Sequence, residues 1–165
     1  MNIDARLIDS ALRGWKLNID RIEEFFHPLS EEQLQKEIAP GRNRLIYLWG
    51  HITGFNEALF PLLGLGPKLY PDLEHMFLSN PDRAVPTMYS GKELKRISTR
   101  INDSLWGAYS KWSPAEWVEK HTSVSAEDFV KEPHRNRYTI LLTRTMHMAL
   151  HFGQVVLTKP RKSTS

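Results

Sequence analysis

The chain has 165 residues, 41% hydrophobic and 25% charged, with 22 Lys and Arg against 19 Asp and Glu. That balance is typical of one globular domain with a single core, and it excludes a disordered, collagenous or repeat-built chain. Cysteine is absent, which excludes disulfides, protein thiolates and Cys-built zinc sites, so any sulfur nucleophile has to come from a small cofactor.

Residues 4–26 place Leu7, Ile8, Ala11, Leu12, Trp15, Ile19, Ile22 and Phe26 at spacings that paint one side of a helix, ended by His27-Pro28. Ser30-Glu31-Glu32-Gln33 fits a capping box and predicts a short helical turn over 30–36, before Pro40-Gly41 breaks the chain. A second helix is expected from Asn43, as N-cap, to about Leu63. Leu45, Leu48, Ile52, Phe55 and Leu59 form its buried seam, and Pro61 bends or ends it.

Residues 64–91 are punctuated by Gly64, Gly66, Pro67, Pro71, Pro81, Pro86 and Gly91, and predict a long crossover with one helical turn near 72–78. A connection of that length usually covers or shapes something. The capping box Ser90-Gly91-Lys92-Glu93 opens a third helix through Leu94, Ile97, Ile101, Leu105, Ala108 and Trp112. Ser113-Pro114-Ala115-Glu116 predicts a short turn to Trp117, with Pro at the first helical position. A second loop over 118–135 carries a turn at 125–131, and the last helix runs from about Asn136 to Leu157.

Four long helices and no convincing strand predict an all-α four-helix bundle with long connections. It forms a single domain over residues 1–158, with 159–165 as a flexible basic tail. No apolar stretch suits a bilayer, no secretory signal opens the chain, and the basic residues are interleaved with acidic ones apart from Lys159-Pro160-Arg161-Lys162. A cytoplasmic protein is expected, with neither membrane nor nucleic acid as partner.

Of seven histidines, three stand out by position. His147 and His151 are an i, i+4 pair whose imidazoles project from one side of the last helix, a geometry suited to one shared metal ion. His51 lies in the row Leu48, His51, Phe55 and Ala58, and an inward imidazole there needs a hydrogen-bond partner or an ion. Hydrogen-bonded core histidines fit the same spacing, and the general base of the His-Glu-x-x-His pattern is missing because Met148 follows His147. His27 sits at a helix end, and His75, His121 and His134 fall in predicted connections. On the last helix, Tyr138, Leu142, Thr145, Ala149, Phe152 and Val156 form a second apolar face, read either as core packing or as the surface of a homodimer.

Gly41-Arg42-Asn43-Arg44, Gly50-His51-Ile52-Thr53-Gly54, Pro133-His134-Arg135-Asn136-Arg137 and His147-Met148-Ala149-Leu150-His151-Phe152-Gly153-Gln154 together resemble the DinB-like superfamily of damage-inducible and thiol-transferase-related proteins. The resemblance spans most of the chain in helix order. It implies an up-down-down-up bundle, often dimeric, in which His51, His147 and His151 hold a divalent metal, zinc and nickel both occurring among members. It also implies a small-molecule substrate and, in some relatives, a low-molecular-weight thiol as cofactor.

Three neutral imidazoles leave a coordination position open, where an ion can lower the pKa of water towards about 7 or take an incoming thiolate. The expected activity is therefore a metal-dependent thiol S-transferase or hydrolase, the alternative being a non-catalytic metal- or ligand-binding helical dimer. Tyr47 and Gln154 lie at helical spacing to accept the free N–H of a ligating imidazole. Arg44 and Arg144 either attract an anionic substrate or belong to a solvated face.

Overall fold

The apolar rows become helices because each has a core to face. The computed structural model describes residues 3–86 and 88–159, and the predicted basic tail from residue 160 onward lies outside the described residues. Helix α1 (Ile3–Phe26) buries Trp15, Ile19, Ile22, Phe25 and Phe26. Helix α2 (Glu31–Leu34) opens on the full capping box: Ser30 Oγ accepts from the Gln33 N–H, and Gln33 Oε1 accepts from the Ser30 N–H.

The second long helix, α3 (Leu45–Glu57), begins later than the sequence predicts. Its N-cap is Arg44 rather than Asn43, and Arg44 makes no side-chain cap of its own. Asp82, from the crossover, does that work: its carboxylate accepts the Arg44 backbone N–H at 2.8 Å and the guanidinium at 2.6 Å. A cap supplied from 38 residues away has no local sequence signature. Pro61 acts one turn upstream: α3 stops at Glu57, the residue whose carbonyl Pro61 cannot bond, the single turn α4 (Leu59–Leu62) follows with Pro61 inside it, and Gly64, at φ 73°, turns the chain away.

The crossover contains α5 (Asp72–Phe77). Helix α6 (Gly91–Tyr109) starts on its capping box and stops short of the predicted Trp112. Helices α7 (Pro114–Trp117) and α8 (Ala126–Lys131) start on Ser113 and Ser125. Helix α9 (Arg137–Val156) is capped by Asn136, whose side chain accepts the Thr139 N–H.

The fold is all-α, and the described residues contain only two isolated β-bridges besides the helices. Helix α9 lies along α1, and α3 packs against α5, α6 and α9. The core runs between them through Trp15, Phe26, Trp49, Phe77, Tyr109 and Trp117. At Gly50 the approach of α5 to α3 is so close that a Cβ would sit 2.3 Å from the Phe77 ring. No helix among the described residues is long and apolar enough to cross a membrane.

The predicted second face of α9 is only partly covered. Phe152 and Val156 pack against the core, while Leu142 and Ala149 are exposed. Beside it, Leu142, Met146 and Leu150 form an exposed apolar row at intervals of four, with Met146 62% and Leu150 61% accessible.

Candidate metal centre

Helices α3 and α9 carry the three singled-out histidines to one place. One ring nitrogen from each of His51, His147 and His151 lies within 4.8 Å of the other two, and all three side chains are half-buried, so the group is reachable from solvent. His147 and His151 face each other with their Nε2 atoms 3.1 Å apart. Two imidazoles bound tetrahedrally to zinc at about 2.0–2.1 Å would place their nitrogens roughly 3.3–3.4 Å apart, so the pair is already near ligand spacing.

The other ring nitrogens decide which atoms are free. The Phe77 carbonyl accepts from His51 Nδ1 at 2.9 Å, and a carbonyl can only accept, so the proton of neutral His51 is on Nδ1 and the lone pair on Nε2. At His151, Nδ1 meets Gln154 Oε1 at 2.8 Å, a pairing that suits the same tautomer. His147 Nδ1 is buried without a partner. With the His151 proton on Nδ1, His147 Nε2 donates to His151 Nε2 across that 3.1 Å, and a divalent ion held between the rings would take the place of this proton. The donor set therefore fits a divalent metal.

Burial favours the neutral, ligating form. Desolvation pushes the His147 pKa down to about 4, reinforced by His151, Arg144 and His51. His51 is lowered mainly by burial, although the Phe77 hydrogen bond pulls it up. No carboxylate is among the charges acting on either ring.

Gln154 therefore holds the position that helical spacing assigns to it. Tyr47 does not: its hydroxyl donates to the Asn80 carbonyl at 2.7 Å, while its ring lies 6.1 Å from that of His51. The backbone of α5, folded over α3, reaches His51 first. Sequence reading missed Phe77 because the accepting atom belongs to the main chain.

Phe55, expected in the buried seam of the second helix, is half-buried and forms one wall of the site. Its ring centroid is 4.7 Å from His51 and 4.5 Å from His147, and the Arg144 guanidinium lies over the ring at 4.7 Å. Glu57 points elsewhere, accepting the Tyr70 N–H, and burial raises its pKa. His121 is buried outside the triad, its Nδ1 accepting from the Ser123 N–H.

No family model and no curated protein matches the chain. The structure is similar to the crystal structure of a conserved protein of an Enterococcus faecalis locus, with a TM-score of 0.63 and 14% identity over 94% of each chain. At that identity the likeness shows a common fold.

Proposed function

We propose that the chain is a divalent-metal-dependent enzyme of the DinB-like kind, its four long helices forming an up-down-down-up bundle and His51, His147 and His151 holding the ion. The observation that carries this reading is the convergence of three ring nitrogens from helices almost a hundred residues apart, one of them held in the ligating tautomer by a main-chain carbonyl. Zinc or nickel suits three imidazoles, and metal supply decides between them. When bound, such an ion supplies Lewis-acid polarisation and stabilises a deprotonated nucleophile.

The chain's own residues orient and shelter. The Phe77 carbonyl and Gln154 fix two imidazoles, and Phe55 keeps water from one side. Among the described residues no carboxylate is one of the charges acting on His51 or His147, so lowering the pKa of the nucleophile would fall to the ion itself. A thiol S-transferase acting on a small molecule, with a low-molecular-weight thiol as cofactor, meets that condition, and so does a metal-hydroxide hydrolase. The exposed row on α9 supports a homodimer built through that helix.

Elemental analysis of protein purified without a histidine tag tests the metal, and a screen of thiols against electrophiles tests the activity. About one equivalent of metal per chain, with turnover lost in His147→Ala, is expected. Metal-free protein that fails to bind added zinc, nickel or cobalt would overturn the reading. Metal without turnover would leave a binding module.

A further inference from the structure

We propose that Arg144 is the anion-binding residue of the triad site, and that the small molecule taken there carries a carboxylate a few bonds from the atom that meets the metal. The proposal rests on the metal reading above. Arg144, His147 and His151 step by three and four along α9, so the guanidinium rises from the same face as the imidazoles, one turn nearer the N-terminus. Phe55 joins them, with the guanidinium 4.7 Å over its ring and His51 and His147 against it. A cation–π contact of this kind makes no hydrogen bond, so the guanidinium donors remain for a planar, two-oxygen acceptor.

The other half-buried arginines are already paired. Arg44 is held by Asp82, Arg135 by Glu132, and Arg137 by Glu119 and the Glu116 carbonyl. Arg144 has neither an ion pair nor a hydrogen bond among the described residues, its Nε is buried without an acceptor, and burial lowers its pKa. The Tyr109 hydroxyl, within its electrostatic reach, is a second buried group without a partner. A half-buried guanidinium with no counter-charge, its Nε shut off from water, is a ready partner for an anion supplied from outside. A divalent ion on three neutral imidazoles beside Arg144 makes a strongly positive site, which concentrates anions.

The test uses cobalt-loaded full-length protein, with ligand binding read from the visible absorption of the metal. The probes are 3-mercaptopropionate and 2-mercaptoethanol, which share a thiol and differ in carboxylate against hydroxyl. Wild type is expected to bind the carboxylate probe about tenfold or more tightly, the scale of a charge-assisted bidentate contact. Arg144→Gln is expected to bring the two affinities to within about twofold, and Arg144→Lys to keep part of the gap, since the charge survives but the fork does not.

A residue that only props Phe55 would change both affinities together. Equal affinities in wild type, or a preference that survives Arg144→Gln, would overturn the proposal and leave the metal reading standing. Should Arg144→Gln not fold, the wild-type pair and Arg144→Lys decide, and an undiminished preference in the lysine variant is then the overturning result. Absence of cobalt bands in wild type would remove the metal reading and this proposal with it.

Discussion

At the scale of single residues, the triad is prepared by the groups behind it. Gln154 fixes the His151 ring through Nδ1, and truncating such a partner typically costs about 10–100-fold in metal affinity. Gln154→Ala should lower zinc affinity by that order while leaving the melting temperature of the metal-free protein nearly unchanged, a comparison that calorimetry and thermal unfolding make directly.

Acid should act on the same rings. His147 titrates at about 4 in the fold against about 6.5 in an unfolded chain, chiefly because burial disfavours its charge. Between those values the unfolded state binds the extra proton, so stability is fully present above about pH 6.5 and drains away as pH falls towards 4. Solvent reaches the half-buried ring, so the loss is on the order of 1–2 kcal/mol. Urea midpoints of metal-free protein should fall over that window, and His147→Asn should flatten the fall.

Among the elements, α3 and α5 form the hinge between fold and site. Gly50 admits the Phe77 ring, and the Phe77 carbonyl then meets His51. A methyl on Gly50 gains up to about 1 kcal/mol of helix propensity but overpacks a buried ring at roughly 1–3 kcal/mol, so Gly50→Ala should destabilise the protein overall. It should also weaken metal binding by displacing the carbonyl, which separates it from an ordinary packing variant. Urea unfolding and a zinc titration of the same sample read both effects.

Much of this scale is legible in the sequence because its signals are local. Ser30, Ser90, Ser113, Ser125 and Asn136 each cap the helix they precede, and the three-and-four rows fall on the buried sides of α1, α3 and α6, apart from exposed Leu7, half-buried Phe55 and Trp112 beyond the end of α6. The histidine positions are legible for the same reason, as residues on helix faces. Long-range partners escape. Asp82 caps α3 across the crossover, the Phe77 main chain takes the hydrogen bond assigned to Tyr47, and only the fold separates Arg44, bound to Asp82, from Arg144. A single sequence read by periodicity carries no signal for contacts between elements.

For the whole molecule, the crossover over 64–91 earns its length by laying α5 on α3, where it supplies part of the site. The exposed row Leu142, Met146 and Leu150 sits on the helix that also carries two of the triad histidines, so assembly and metal site would share one element. Sedimentation at micromolar concentration should show a dimer, and Leu150→Lys should shift it to monomer without loss of bound metal. A monomeric wild type would remove the dimer from the reading and leave the site untouched.

The most direct test of the site itself is zinc calorimetry on tag-free protein stripped of metal, alongside His51→Ala, His147→Ala and His151→Ala. One ion per chain in wild type, with affinity sharply reduced in each variant while the helical circular dichroism persists, is the predicted result. Zinc binding that ignores His51→Ala, or none in wild type, would contradict a centre shared between α3 and α9.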